Sequence, residues 1–275
     1  MTGRARVAIF AALLAAVFAA SAGLGAAVGP FDRGSPAEAH GGHDASAPVD
    51  GTTGLALAAN GFRLALERHT LPARAPAELA FRILDTRGEP VHDFDVAHER
   101  RLHLIVARRD LTGFLHLHPR LDRDGTWRAR GLRLEPGAYR VFADFVSGGE
   151  KTVLGADLAV AGAWSPSSLP GARQIATAGP YAVELTRTRY AAEDEQALSF
   201  TVRRDGRAVA PGRYLGARGH LVILRDGDLA YLHAHADADA LEFETTFPTP
   251  GRYRAFLQFV DGGTVRTVAF TLEAE

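Results

Sequence analysis

The stretch HLVILRDGDLAYLHAH (220–235) has an apolar run on each side of Asp226-Gly227. Asp-Gly between two such runs is the strongest short-range sign of a β-hairpin, because a type I′ turn needs positive φ at both central positions. With these two residues as the turn, we expect His220 to pair with His233. Opposed residues, and residues two apart on one strand, share a face of the sheet. His220, His233 and His235 should therefore project from one side of the hairpin.

The arrangement occurs a second time, earlier in the chain, as HLIVARRDLTGFLHLH (103–118). The first two histidines are 13 residues apart in both copies, and the last two are 2 apart. The spacing predicts that His103, His116 and His118 also share one face.

Other segments repeat in the same order. FRLAL (62–66) matches YAVEL (181–185), and PGAYRVFADFV (136–146) matches PGRYRAFLQFV (250–260). A duplication with a period of about 117–119 residues is too long and has too few copies for a solenoid. We infer two tandem domains.

Short runs that alternate with period 2, separated by glycine and proline turns, predict about seven strands per copy, which is the spacing of a β-sandwich. The fold class is therefore all-β, with two tandem immunoglobulin-like or cupredoxin-like sandwiches after an N-terminal apolar helix. The expected organisation is a signal peptide or membrane anchor at 1–29, a flexible linker at 30–60, sandwiches at 61–160 and 176–275, and a linker at 161–175.

The N-terminus has the composition of a targeting segment. Arg4 and Arg6 precede the apolar run 7–20, and Ala20-Ser21-Ala22 fits the small-x-small cleavage pattern. The apolar character continues to Gly29, which makes the span just long enough to cross a bilayer. A cleaved signal peptide and an uncleaved anchor both remain open, and both make the rest of the chain extracytoplasmic.

Composition excludes several kinds of site. The 31 basic and 32 acidic residues give a net charge of −1, without the clustered basic field of a nucleic-acid surface. The chain has no cysteine, and its single methionine is Met1. Disulfides, thiolate and thioether metal sites and cysteine nucleophiles are therefore excluded.

Histidines at i and i+2 of a strand can reach one ion together, with a third supplied by the neighbouring strand. We predict metal sites at His103, His116, His118 and at His220, His233, His235, for Cu(II) or Zn(II), because imidazole suits both ions. The candidates for a fourth ligand are Asp122, Asp124 or Asp144 in the first copy and Asp237 or Asp239 in the second, where Gln258 matches Asp144.

The remaining histidines carry weaker signals. His40 and His43, with Asp44, lie in the linker and could hold a metal loosely. His69 and His92 are expected to be ordinary loop residues, as is His98, which is also the best auxiliary ligand of the three.

Both faces of each hairpin are apolar, since Leu102 and Leu104 lie on the face opposite His103 while Ile105 and Phe114 share its face. An apolar face around a histidine cluster is expected to be covered. We therefore expect the two domains to pack pseudo-symmetrically, with the histidines near their contact.

The segments 103–119 and 214–235 resemble secreted, largely uncharacterised tandem β-sandwich proteins of high-GC Gram-positive bacteria, some of them labelled heavy-metal-binding. The resemblance covers about 61–275 and implies an extracytoplasmic, metal-associated role. The chain departs from Met-rich copper carriers and from blue-copper proteins, because it lacks their sulfur ligands.

Three hypotheses follow. The first is an extracytoplasmic protein that binds Cu(II) or Zn(II) through the six histidines and is not an enzyme. The second is a tandem sandwich that binds a protein partner or forms a homodimer, with structural histidines and no metal. The third is a histidine-metal hydrolase or oxidase, which is disfavoured because no Asp or Glu has the spacing of a general base beside the metal.

Overall fold

The computed structural model describes residues 52–235 and 240–275, and of His233 and His235 it describes the backbone alone. These residues are all-β, and the strands account for all of their regular structure. None of them forms a helix suited to spanning a membrane. The predicted leader and the linker residues His40 and His43 lie outside the described residues.

The first repeat is a sandwich of two five-stranded sheets. Its strands are β1 (Ala58–Ala59), β2 (Phe62–Leu66), β3 (Thr70–Leu71), β4 (Ala77–Leu84), β5 (Leu102–Arg108), β6 (Phe114–Leu117), β7 (Arg120–Leu121), β8 (Trp127–Leu132), β9 (Gly137–Ser147) and β10 (Glu150–Val160). The sheet orders are β1-β2-β4-β8-β7 and β3-β10-β9-β5-β6.

The second repeat follows the same plan. Its strands are β11 (Ile175–Ala178), β12 (Tyr181–Leu185), β13 (Arg189–Tyr190), β14 (Glu195–Arg204), β15 (Arg207–Ala208), β16 (Gly219–Arg225), β17 (Tyr231–His235), β18 (Glu242–Thr246), β19 (Gly251–Asp261) and β20 (Thr264–Ala274). One sheet has the order β11-β12-β14-β15 with β18 also paired to β14, and the other has the order β13-β20-β19-β16-β17. Both sandwiches belong to one compact unit.

Both repeats enter their longest strand in the same way. Gly137 and Gly251 start β9 and β19 with φ of +152° and +145°, a conformation that favours glycine. Two residues later, Tyr139 and Tyr253 each donate a hydroxyl hydrogen bond to the carbonyl oxygen four residues upstream, at 2.9 and 2.8 Å. Such a tyrosine corner is a feature of immunoglobulin-like sandwiches, so it agrees with the predicted fold class.

Strand alternation separates the core face of each hairpin from its histidine face. Leu102, Leu104 and Val106 of β5 are buried in the core of the first sandwich, and Leu221 and Ile223 of β16 are buried in that of the second. Burying a side chain of this size contributes roughly 1.5–3 kcal/mol to folding. The predicted core face is confirmed, and the histidines occupy the opposite face.

The register of the second hairpin differs from the prediction. His220 lies opposite His235, and Val222 opposite His233, two residues away from the expected pairing. The loop has four residues instead of two, because the Arg225 N–H donates to the Ala230 carbonyl oxygen at 3.0 Å. A shift of two residues leaves every side chain on its predicted face.

Burial explains the longer loop. Leu229 adopts a φ of +65°, which is strained for leucine, yet it is fully buried. Asp228 accepts hydrogen bonds from the Arg225 guanidinium and the Ala230 N–H. These contacts outweigh the preference of Asp226-Gly227 for a two-residue turn.

The histidine-bearing sheets of the two repeats face each other across a third apolar cluster. Phe114 stacks on Phe256 of the other repeat at 4.1 Å between ring centroids, and the equivalent pair, Phe142 and Tyr231, lies at 5.2 Å. Residues buried in this cluster come from both repeats and, at Leu169, from the segment between them: Ile105, Ala107, Leu111, Phe142, Leu169, Val222, Leu224, Leu229, Tyr231 and Phe256. The predicted pseudo-symmetric packing is confirmed.

Residues 52–56 tie the two repeats together. The Tyr231 N–H donates to the Thr53 carbonyl oxygen at 2.9 Å, and the Gly155 N–H donates to that of Ala56 at 2.8 Å. The buried Arg140 guanidinium donates to the Gly54 carbonyl oxygen at 3.0 Å. One short segment thus bonds to β17 of the second repeat and to β9 and β10 of the first.

Candidate metal centre

Three histidines of the first repeat converge beside the β5–β6 hairpin. His103 follows a core leucine on β5, so strand alternation turns its ring away from the core. His116 on β6 and His118, two residues later, project to the same side. The three ring centroids lie 4.9 to 5.2 Å apart. One ligand nitrogen of each ring lies within 4.8 Å of the other two.

Oxygen acceptors determine which ring nitrogens carry hydrogen. His103 Nε2 lies 3.3 Å from the carbonyl oxygen of Ala97, which can only accept. His116 Nδ1 lies 2.8 Å from Oε1 of Gln258, whose Nε2 donates to Thr267. In the neutral rings the lone pairs are therefore on His103 Nδ1 and His116 Nε2. These two atoms face each other at 3.0 Å.

Two lone pairs at that distance repel each other unless a proton or another cation lies between them. An outward N–H donated to an oxygen, with the lone pair turned inward, is the arrangement that metal-ligating histidines adopt. His103 and His116 have this arrangement without further movement.

His118 contributes the third ring. Its Nε2 is buried and has no hydrogen-bond partner among the described residues, which costs free energy. Burial, together with the charges of Arg100 and His220, lowers the pKa of His118 to about 4. The ring is therefore neutral at neutral pH and keeps a lone pair for coordination. The residues present fit a divalent metal ion.

The second repeat brings His220 to the same place. His220 is almost fully buried, and its Nε2 donates to the carbonyl oxygen of Tyr214 at 2.9 Å. Its ring centroid lies 6.4 Å from that of His103 and 6.1 Å from that of His116. His98 also approaches, at 6.2 Å from His103 and 6.3 Å from His220.

A buried carboxylate lies next to this cluster. Asp144 is opposite His103 in the β5–β9 ladder, and its Oδ2 accepts a hydrogen bond from the Tyr231 hydroxyl at 3.1 Å. Burial raises the pKa of Tyr231 well above its ordinary value, so the hydroxyl keeps its proton. Asp144, His98 and His103 share the wall of a cavity of about 110 Å³ with Lys151.

The other candidate ligands have different roles or lie outside the described residues. Asp122 forms an ion pair with Arg128, and Asp124 forms one with Arg82, so both are committed elsewhere. His69 and His92 are exposed. Asp237, Asp239 and the side chains of His233 and His235 are outside the described part of the structure, so the second three-histidine site remains a prediction.

A family profile described as Domain of unknown function (DUF8832) matches residues 57–162 and again 176–275. The chain belongs to this family. The two matches coincide with the two sandwiches, so each sandwich is one DUF8832 repeat. No curated protein matches the sequence.

Solved structures that resemble the two DUF8832 repeats are other β-sandwich arrays. Two fibronectin type III domains of chicken tenascin align at 14% identity and a TM-score of 0.23, over 76% of this chain and 97% of that chain. Tandem Ig repeats of Dlar align at 9% identity and a TM-score of 0.22, over 78% of this chain and 97% of that chain. Salmonella alpha-2-macroglobulin aligns at 15% identity and a TM-score of 0.27, over 77% of this chain and 14% of that chain. TM-scores this low carry no functional argument.

Sequence reasoning undervalued two residues of the second DUF8832 repeat. Gln258 is a poor ligand, but its side chain accepts the hydrogen bond that orients His116. Tyr231 lies in the apolar cluster between the repeats, but its hydroxyl also donates to Asp144. The repeat alignment pairs Gln258 with Asp144, a signal that both positions face the same cluster.

Proposed function

We propose that this protein binds a divalent metal ion through His103, His116 and His118. The observation that supports the proposal best is the convergence of three imidazoles whose ligand nitrogens lie within 4.8 Å of one another. Two of these rings have their outward nitrogens committed to oxygen acceptors, and the third has a buried nitrogen without a partner.

Cu(II) and Zn(II) are the proposed ions. Three neutral imidazoles suit both, and the chain has no thiolate or internal thioether that would favour Cu(I). A bound ion would take up the three inward lone pairs and remove the repulsion between His103 and His116. Asp144, opposite His103 in the β5–β9 ladder, is proposed as an auxiliary ligand.

The proposed role is to hold the ion outside the cytoplasm without catalysing a reaction. The N-terminal composition, with Arg4 and Arg6 before an apolar run, supports extracytoplasmic placement. Structural metal sites are closed by four protein ligands, and three imidazoles with Asp144 would supply four, which supports binding over turnover.

A second candidate is a protein-interaction module with structural histidines and no metal. One observation favours its structural histidines: the apolar cluster between the repeats, including the Phe114–Phe256 stack, already covers the histidine face. On this hypothesis the imidazoles only fill the edge of that contact.

Metal analysis of tag-free protein distinguishes these two functions. After incubation with Zn(II) or Cu(II) and gel filtration, we expect the wild type to retain metal and the double variant His116→Ala/His118→Ala to lose it. His69→Ala, on the exposed surface, is the control and should retain metal like the wild type. Equal metal content in the wild type and the double variant would refute the proposed site.

A further inference from the structure

The histidine cluster includes residues of both repeats. We propose that the second repeat completes the metal centre, with His220 as a further ligand, so that one ion is shared between the two repeats. This inference rests on the proposed metal-binding function. It replaces two independent sites, one per repeat, with a single centre at their contact.

The distances between the rings are compatible with one shared ion. Two imidazoles bound to one tetrahedral ion have ring centroids roughly 5 Å apart, given metal–nitrogen bonds of about 2 Å. The three rings of the first repeat already meet that spacing, at 4.9 to 5.2 Å. His220 lies at 6.1 and 6.4 Å from His116 and His103, so its ring would need to move roughly 1 Å closer to these two rings to bind the same ion.

His220 is prepared for coordination in the same way as His103. Each ring donates its Nε2 hydrogen to the carbonyl oxygen of the residue six positions earlier, Tyr214 and Ala97 respectively. In the neutral rings both lone pairs are then on Nδ1. Both side chains are also buried, with exposed fractions of 1% for His220 and 3% for His103. Bulk water therefore does not compete for the hydrogen bonds that orient the rings.

Direct bonds between the repeats hold the two halves of the centre in place. His116 of the first repeat bonds to Gln258 of the second at 2.8 Å, and Tyr231 of the second bonds to Asp144 of the first at 3.1 Å. Each bond involves the strand neighbour of a histidine, since Gln258 lies opposite His220 and Asp144 lies opposite His103. Each repeat therefore orients ligand groups of the other.

The two halves are not equivalent, which favours one ion over two. The position opposite the first histidine of each hairpin is a carboxylate in the first repeat, Asp144, and a neutral amide in the second, Gln258. At this ladder position, a carboxylate that could compensate a divalent ion is therefore present in the first repeat only.

Zinc titration of the metal-stripped, tag-free full chain tests the shared centre. We compare the wild type with His220→Gln, which keeps a polar side chain of similar length, with His118→Ala, and with the exposed control His69→Ala. We expect one ion per chain in the wild type. His220→Gln and His118→Ala should each weaken that single binding event about tenfold or more, while His69→Ala leaves it unchanged. Circular dichroism establishes that each variant is folded.

Copper provides an independent reading on the same variants. The nitrogen couplings in the electron paramagnetic resonance spectrum of bound Cu(II) should lose one imidazole in His220→Gln. Two zinc ions per chain in the wild type, with His220→Gln removing one and leaving the affinity of the other unchanged, would overturn the shared centre alone. One ion bound equally well by His220→Gln would do the same. A wild type that binds no zinc would overturn the proposed function together with this inference.

Discussion

At His116, a hydrogen bond from the second repeat determines which nitrogen can bind a metal. Its Nδ1 donates to Gln258 Oε1, which leaves the lone pair on Nε2, facing His103. Partners of this kind fix the tautomer of a ligating imidazole and raise its basicity. The orientation of this one ligand therefore depends on both repeats.

Replacing Gln258 by leucine should weaken metal binding without removing a ligand. The His116 N–H loses its acceptor, and such losses cost about 10–100-fold in metal affinity. Gln258→Glu keeps an acceptor and should bind zinc more tightly than Gln258→Leu. Competition with a chromophoric chelator measures both. Gln174→Leu is the control, because Gln174 is exposed and its side chain donates to the Thr186 carbonyl oxygen, not to a histidine. Equal affinities for Gln258→Leu and the wild type would contradict the assigned role.

His118 should make the metal-free protein less stable in acid. Burial, helped by the charges of Arg100 and His220, lowers its pKa to about 4 in the folded state, below the ordinary 6.5 of the unfolded chain. Between these values the unfolded state takes up a proton that the folded state does not, so stability falls as pH falls from 6.5 to 4. The partly exposed ring should contribute about 2 kcal/mol of that loss.

Urea unfolding of metal-free protein at pH 7 and at pH 4.5 measures this effect. His118→Asn, which stays neutral throughout, should lose less stability than the wild type over the same interval. An identical loss in both proteins would show that His118 does not carry the pH dependence.

At the scale of elements, the sequence predicted the faces of the two hairpins correctly and the register of one incorrectly. Period-2 alternation fixes which side of β5 and β16 meets the core, and a register error of two residues leaves that unchanged. The loop length depends on burial of Leu229 against the other repeat. Local turn preference at Asp226-Gly227 holds no information about that contact.

The segment 52–56 is an element that sequence reasoning assigned to the flexible linker. It bonds instead to both repeats, and it lies so close to β10 that a Cβ at Gly155 would overlap the Gly54 carbonyl oxygen and crowd the Arg140 guanidinium. Its backbone bonds to partners that are distant in sequence, which explains why composition alone suggested a linker.

Gly155→Ala should therefore destabilise the protein by about 1–3 kcal/mol, the usual cost of overpacking. Gly171→Ala is the matched control, because a Cβ there has no neighbour within 4 Å, and it should change stability by less than about 0.5 kcal/mol. Chemical denaturation of both variants measures the difference. Indistinguishable unfolding midpoints would mean that residues 52–56 do not pack against β10 in solution.

At the scale of the whole molecule, a duplicated sandwich has brought two copies of one hairpin face to face. The repeat pattern predicted two domains of one fold, and the apolar character around the histidines predicted that they pack on each other. The sequence could not show that His220 approaches His103 and His116, because such distances depend on how the two sheets are docked. The cross-repeat bonds of Gln258 and Tyr231 belong to that docking.

Anomalous X-ray scattering at the zinc edge, from crystals of tag-free protein grown with Zn(II), tests the central claim most directly. We predict a strong peak bounded by the imidazoles of His103, His116 and His118, with the His220 ring turned toward it. A map without a peak among these rings, or with peaks only at exposed histidines such as His69, would contradict the assignment of a metal centre to this protein.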